Sequence, residues 1–251
     1  MRMVIVGNSA AGTAAIEAIR QHDRRSGIVQ LSDESVPLYS RCLLPYYMAG
    51  TIQKEMLGYR ESNFHQEMNV ELLAGAGFRA TQLDSRLKQV KCDNGTRVNY
   101  DRLLICTGAS AKLPSNFPRG IQGIHTLRNF EDAEKIRTEA RSAGSAVVLG
   151  AGLIGIKAAN ALSAGGIKTT VVARSNRVLS QMIDAEASGI IRRRLQEKSI
   201  TFLPETDVSE VQSAGKRLAA VKTSDGRIIE FSQSFYCGDT YDFVAELNAS
   251  E

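Results

Sequence analysis

Two glycine clusters and one cysteine hold most of the chemistry open to this sequence. The first cluster is "GNSAAG", Gly7 to Gly12, directly after the apolar run Met3 to Val6 and directly before "TAAIEAIRQ". A strand, a tight turn and a helix in that order aim the free N–H groups and dipole of the helix N-terminus at a pyrophosphate. The glycines let the backbone turn sharply and approach the ligand. Ser9 replaces the middle glycine of such a turn but keeps a small side chain there. Gly7, Ser9, Ala10, Ala11 and Gly12 are therefore candidate dinucleotide contacts. "GIVQLSD" then reads as a second strand, and its end, Ser32-Asp33, falls about 20 residues beyond Gly12, where an acid for a ribose hydroxyl is expected. Asp33 is that candidate.

The second cluster is complete. "AVVLGAGLIGIKAANALSAGGIKTTVVAR" offers a strand from Ala146 to Leu149, then Gly150, Gly152 and Gly155, an alanine-rich helix, a Gly165-Gly166 stop and another strand. Gly150, Gly152, Leu153, Ile154 and Gly155 are the matching candidates. The next strand ends in "VVARSNR", with Ala173 where an acid would bind a ribose hydroxyl and repel a 2′-phosphate. Arg174 or Arg177 is placed to pair with that phosphate, so NADPH is expected to be accepted at least as well as NADH. Two such units, with different sequence between them, are two domains of similar plan rather than a short-period repeat. Two dinucleotides per chain is the natural reading.

The cysteine is Cys42, in "YSRCLLPYYMAG". Pro45 fits only the first turn of a helix, which puts the cap near residues 42–44. A thiol at a helix start beside Arg41 is favoured as thiolate and could act as a redox centre; the alternative is a small residue that fills a gap. Cys92, in the polar "VKCDNG", reads as a surface strand residue. The four cysteines show no CxxC pair, and His22, His65 and His125 have no ligand-like spacing, so no metal site is read. Arg192-Arg193-Arg194 continues a helix that begins near Asp184 and is read as its solvated face.

These groups need an α/β scaffold, and the bulk properties allow one. The chain has 251 residues, 43% of them hydrophobic, and a formal net charge of +4. It has length for two domains. No basic stripe interleaved with aromatics appears, so nucleic acid is not an expected partner. Apolar runs such as "AVVLGAGLIG" fall short of the roughly 20 residues of a membrane span, so no membrane is expected. "MRMVIVG" enters a strand at once, without the regions of a secretory signal, so a cytoplasmic protein is expected. Between the glycine clusters, "TRVNYDRLLICTGA" supplies a strand, Leu103 to Cys106, closed by Thr107-Gly108-Ala109. "KLPSNFPRG" follows and reads as an inter-domain linker.

In this order the segments resemble the FAD-dependent pyridine nucleotide disulfide oxidoreductases, particularly the branch of NADH oxidases, coenzyme A disulfide reductases and nitrite-reductase-like flavoproteins. "GNSAAG" looks like the family's FAD loop, "YDRLLICTGA" like its "ATG" segment, and "GAGLIGIKAA" with "VLSQMIDAEAS" like its NAD(P)H domain. The resemblance implies an α/β fold of two Rossmann-like dinucleotide-binding domains, an FAD domain with an inserted NAD(P)H domain. These would span residues 1–112 and 113–231, with a short return segment over 232–251. FAD would be held by Gly7 to Gly12, Ser32, Asp33, Arg41, Thr107, Gly108, Ala109 and Asp239 of a "GD" motif. NAD(P)H would be held by Gly150, Gly152, Leu153, Ile154, Gly155 and Arg174. Electrons would pass from NAD(P)H through flavin to a small-molecule or protein acceptor.

The tail runs almost at once from "SDGRIIEFS" into "SFYCGDTYDFVAE". Against the family pattern the C-terminal interface domain is expected to be absent, with weak FAD retention and no family-type homodimer. Cys42 resembles the redox cysteine of coenzyme A disulfide reductases, and its stretch equally resembles members that have proline there and whose flavin works alone. Ala10 stands where oxidase and peroxidase members carry a histidine. Lys157 stands where many members have glutamate near the nicotinamide, and either meets the cofactor or points to solvent. Cys106 and Cys237 read as space-fillers in nucleotide-side turns. Two further readings stay open: a Cys42-dependent disulfide or persulfide reductase, and a non-catalytic nucleotide-binding subunit whose FAD site a partner subunit completes.

Overall fold

The computed structural model describes residues 1–111, 113–230, 236–238, 241–242 and 248–250. The chain begins β1 (Arg2–Val6), α1 (Ala10–His22), β2 (Gly27–Ser32), α2 (Leu44–Met48), α3 (Phe64–Glu67) and β3 (Val70–Ala74). It continues with β4 (Ala80–Asp84), β5 (Gln89–Cys92), β6 (Arg97–Asn99), β7 (Arg102–Ile105), β8 (Ser110–Ala111) and β9 (Ile124–Thr126). Then come α4 (Phe130–Ala140), β10 (Ser145–Leu149), α5 (Leu153–Ala164), β11 (Lys168–Val172) and α6 (Ala185–Glu197). The last elements needed here are β12 (Thr201–Leu203), β13 (Val208–Ala214), β14 (Arg217–Thr223), β15 (Ile228–Glu230) and β16 (Tyr236–Gly238). Two compact units interleave along the chain: Met1–Ser40 and Leu57–Ala109 belong to one, Arg41–Met56 and Ser110–Asp242 to the other.

The first unit is built on a parallel sheet in the order β3-β2-β1-β7. Successive side chains of a strand point to opposite faces, so Val4, Val6, Val29 and Leu31 pack on one side with Val90, Cys92 and Val98. Ile5 and Ile28 pack on the other side with Ile16 of α1, Leu38 and Phe64. The antiparallel strands β4, β5 and β6 supply the cover of the first face. This overturns the surface reading of Cys92. Its neighbours Lys91 and Asp93 are polar, but Cys92 is the inward residue at the end of β5 and is fully buried.

The second unit has a parallel sheet in the order β12-β11-β10-β16-β9 and an antiparallel sheet β13-β14-β15. Val147 and Val172 join Phe117, Val208, Leu218 and Val221 in one core. Residues 113–120 are therefore no free linker: Phe117 is 5% exposed in that core, with Leu113 packed against it. The backbone of Cys237 lies within β16, paired with Val148 and His125, rather than in a turn. The N-terminus of α4 is closed by a capping box, Asn129 accepting from the N–H of Asp132 while Asp132 accepts from that of Asn129. Asp184 caps α6 by accepting from the N–H of Ala187, and Arg192, Arg193 and Arg194 are exposed.

Residues 41–56, which a boundary at residue 112 counts with the first unit, make their contacts in the second. Side-chain chemistry explains the grouping. The Tyr47 ring lies 5.3 Å from that of Phe130, the Tyr47 hydroxyl donates to Glu134, and the Arg137 guanidinium stands 4.5 Å over the Tyr47 ring. Lys54 Nζ lies 4.7 Å from the Phe130 ring. Among the described residues no helix is long and apolar enough to cross a membrane.

Candidate functional site

In the first unit the glycine loop sits at the carboxyl end of β1. Gly7 has φ +119°, a conformation that side chains rarely adopt, and a Cβ there would lie 2.1 Å from the carbonyl oxygen of Cys106. A Cβ on Gly12 would lie 2.1 Å from the Gly7 carbonyl oxygen. Both glycines are thus required by close backbone approach. Ser9 is tolerated because it is the extended N-cap residue of α1, with φ −138° and ψ −166°, outside the left-handed region. Its side chain makes no capping bond, which leaves the first-turn N–H groups of Ala10, Ala11 and Gly12 for a ligand.

Two neighbouring strands bring further candidates to the same rim of the sheet. Ser32 ends β2 and accepts from the N–H of Glu34, while Asp33 is exposed. Glu34 is occupied by the Tyr39 hydroxyl at 2.6 Å. Cys106 follows β7, its N–H bonded to Val6 at 2.7 Å, and Thr107-Gly108-Ala109 turn away with Gly108 at φ +71°. Cys106 is half-buried, and burial pushes its thiol pKa up, which suits a packing residue. Asp239 lies outside the described residues.

The sequence reading missed the support beneath this loop. Gln30 is fully buried in the middle of β2, and its Nε2 donates to the Gly7 carbonyl at 2.9 Å. That bond fixes the amide orientation, so Gln30 Oε1 faces His65 Nε2 at 2.9 Å and His65 must donate. The same nitrogen lies 3.2 Å from Asn8 Oδ1. Burial lowers the His65 pKa, which favours the neutral ring. Of the other histidines, His22 is exposed and His125 meets Glu139 at 3.0 Å. Among the described residues no group of three or more His, Cys, Asp or Glu could hold a metal ion.

The second unit repeats the loop geometry. Gly150 has φ +105° and follows β10, and a Cβ on Gly155 would lie 2.1 Å from the Gly150 carbonyl oxygen. Gly152 is the extended N-cap of α5, without a side-chain cap, so the N–H groups of Leu153, Ile154 and Gly155 are presented as in α1. The loop lines a cavity of about 830 Å³ within this unit, walled also by Leu179, Gln181 and Met182. A fixed bond from the Leu179 N–H to the Ala151 carbonyl ties that wall to the glycine loop.

Arg41, Arg128, Lys157 and Arg174 bring cationic groups to the cavity, and Asp207 is the acid among its described lining residues. Such a balance suits a ligand that carries phosphates. Arg41, expected with the first loop, belongs to the second unit, where its Nη1 donates to the Arg128 carbonyl at 2.8 Å. Lys157 faces the cavity with Nζ 5.3 Å from the Tyr46 ring. Arg174 is held by Asp207, whereas Arg177 spends its guanidinium on the carbonyls of Ile183 and Ser180 and does not line the cavity. Cys42 is exposed and lies on the cavity wall. It sits in a 3-10 turn, Arg41–Leu43, ahead of an α2 of five residues, so the helix dipole beside it is small.

The sequence profile of the pyridine nucleotide-disulphide oxidoreductases matches residues 1–238. Subunit epsilon of an NADH-dependent phenylglyoxylate dehydrogenase from Aromatoleum evansii is 32% identical over 86% of this chain, and the match covers 52% of that protein. A rubredoxin-NAD(+) reductase from Pseudomonas putida is 30% identical over 80% of this chain and 52% of its own length. The structure of a NAD-dependent persulfide reductase from A. fulgidus superimposes with a TM-score of 0.86 at 29% identity, over 96% of this chain and 45% of that one. The chain spans about half the length of these relatives. With paired glycine loops on two parallel sheets and a profile match that runs through both, the chain belongs to the pyridine nucleotide-disulphide oxidoreductase family.

Proposed function

We propose that the first unit binds FAD, that the second binds NAD(P)H, and that the chain serves electron transfer from the pyridine nucleotide to a further acceptor. The observation that carries this reading is the duplicated cradle. In each unit a left-handed glycine follows a parallel strand, β1 or β10, and a second glycine lets the next helix approach it so closely that no Cβ fits. Such a loop leaves room only for backbone and aims helix N–H groups at a pyrophosphate.

In the first unit the N–H groups of Ala10, Ala11 and Gly12 would bind the FAD pyrophosphate, Asp33 would accept from its ribose, and Thr107 and Gly108 would border it. In the second, the N–H groups of Leu153 and Ile154 would bind the NAD(P)H pyrophosphate. Arg41, Arg128 and Lys157 would offset its charge, and Leu179 and Met182 would exclude water from one side. FAD, when bound, supplies an acceptor for hydride from NAD(P)H and a donor of electrons to the next acceptor. The rubredoxin reductase among the relatives points to a small electron-transfer protein as that acceptor.

An absorbance spectrum of protein saturated with FAD, recorded before and after anaerobic NADH or NADPH, tests the reading. A flavin band that moves on binding and bleaches with the nucleotide supports it. Protein that takes up no FAD and no nucleotide overturns it.

A second reading, Cys42-dependent reduction of a disulfide or persulfide, is favoured by one observation: the exposed Cys42 shares the cavity wall with Lys157. The persulfide reductase relative agrees with it. Replacing Cys42→Ser should then abolish thiol-substrate turnover and leave reduction of artificial acceptors nearly unchanged. Full thiol-substrate activity in that variant makes Cys42 a packing residue.

A further inference from the structure

Ala173 directly follows β11, is no acid and is 3% exposed, yet a carboxylate still reaches the cavity. It belongs to Asp207, between β12 and β13. The backbone of Asp207 is fixed on both sides by Ser224: the Asp207 N–H donates to Ser224 Oγ at 3.1 Å, and its carbonyl accepts from the Ser224 N–H at 2.8 Å. Its Oδ1 accepts from the Val208 N–H at 2.9 Å. The remaining oxygen, Oδ2, accepts from Arg174 Nε at 2.7 Å and lies 2.6 Å from Arg174 Nη2. The Arg174 side chain is 81% exposed and that of Asp207 28%. The acid is anchored, and the arginine is a solvated arm held at its tip.

We propose that Asp207 sets the discrimination between NADH and NADPH, by holding Arg174 in an ion pair that a ribose 2′-phosphate has to displace. The proposal rests on the second unit being a NAD(P)H site. A guanidinium presents a planar fork that matches a carboxylate or a phosphate, but the same edge does not serve both at once. When Arg174 turns to a 2′-phosphate, the carboxylate it leaves stays in place and repels the incoming charge. A ribose 2′-hydroxyl is neutral and does not have to break the pair. The expectation from sequence, that NADPH is accepted at least as well as NADH because Arg174 or Arg177 can pair with the 2′-phosphate, counts the arginine and omits its counter-charge. With Asp207 present the attraction of Arg174 for a 2′-phosphate is offset, and the site accepts both nucleotides.

Calorimetric titration of the full chain with adenosine 2′,5′-bisphosphate and with 5′-AMP tests this, using Asp207→Asn, Arg174→Gln and the double variant. Asp207→Asn should tighten the bisphosphate about fivefold or more, with 5′-AMP changed less than about twofold, since it frees Arg174 and removes a like charge. Arg174→Gln, an exposed change that spares folding, should weaken the bisphosphate less than about threefold alone and about tenfold in the Asp207→Asn background, the sign of a coupled pair. If Asp207→Asn leaves the bisphosphate unchanged, or Arg174→Gln alone costs tenfold, the pair does not set the choice. Binding of neither fragment, with NADH and NADPH also unbound, removes the nucleotide-site reading itself and the proposal with it.

Discussion

A methyl group on Gly155 would lie 2.1 Å from the carbonyl oxygen of Gly150, and one on Gly12 would stand at 2.1 Å from the carbonyl oxygen of Gly7. The obstructing atoms are backbone, so no flexible side chain can yield. Gly155→Ala and Gly12→Ala should each push a helix away from its strand and cost about 1–3 kcal/mol, read from urea unfolding. Binding at the altered loop should fall about tenfold or more, because the N–H groups move with the helix. Gly27→Ala is the control: nothing stands within 4 Å of a Cβ there, and stability should hold or rise slightly.

The half-buried His65 predicts an acid limb in stability. Its folded pKa is lowered by burial below the value of 6.5, so the unfolded chain binds the proton more readily. Stability from this group is complete above pH 6.5, is lost as pH falls below it, and levels off under the folded pKa. Urea midpoints compared at pH 7.5 and 5.5 should show the loss in the parent and a smaller one in His65→Gln, whose amide can still donate to Gln30. An identical loss in both proteins would assign the limb to other groups.

Local backbone demands were legible in the sequence, and contacts between distant segments were not. Glycine spacing reveals a turn because the constraint acts within six residues, which is why both loops could be read and why Ser9 looked like a flaw. The structure shows that the middle position needs an extended residue, not a left-handed one. Asp207 was hidden because it reaches Arg174 from a connection that no motif marks. Arg177 looked equivalent to Arg174, but the fold consumes it on two carbonyls. Cys92 and Phe117 were misread for one reason: polar and proline-rich neighbours describe the outward side of a segment, whereas burial is decided by the residue that points inward.

Thiol reactivity should separate the cysteines by accessibility. Cys42 is exposed and Cys92 is buried, with burial as the main cause and Asp93 as a second one that pushes the Cys92 thiol pKa up. Iodoacetamide at pH 8 should therefore modify Cys42 at least about tenfold faster than Cys92, which should react on unfolding. Since Cys42 lines the cavity of the second unit, NADH or NADPH should slow its modification. Peptide mass mapping with and without nucleotide checks both statements, and equal rates for the two thiols would contradict the burial.

The contact of Tyr47 with α4 should control how firmly the Cys42 segment is held. Burial is the largest influence that raises the Tyr47 pKa, and the hydrogen bond to Glu134 adds to it. Tyr47→Phe keeps the ring against Phe130 and under Arg137 but removes the donor from Glu134, which should cost about 1 kcal/mol. Tyr47→Ala also removes a buried ring and should cost about 3–5 kcal/mol. Glu134→Gln retains an acceptor for the hydroxyl and should fall nearest the parent. Because residues 41–56 reach the second unit through these side chains, Cys42 modification should speed up in the order Glu134→Gln, Tyr47→Phe, Tyr47→Ala. If Tyr47→Ala lowers stability yet leaves the Cys42 rate unchanged, the segment is held by its contacts with α5, with Lys157 over Tyr46 as the next side chain to test.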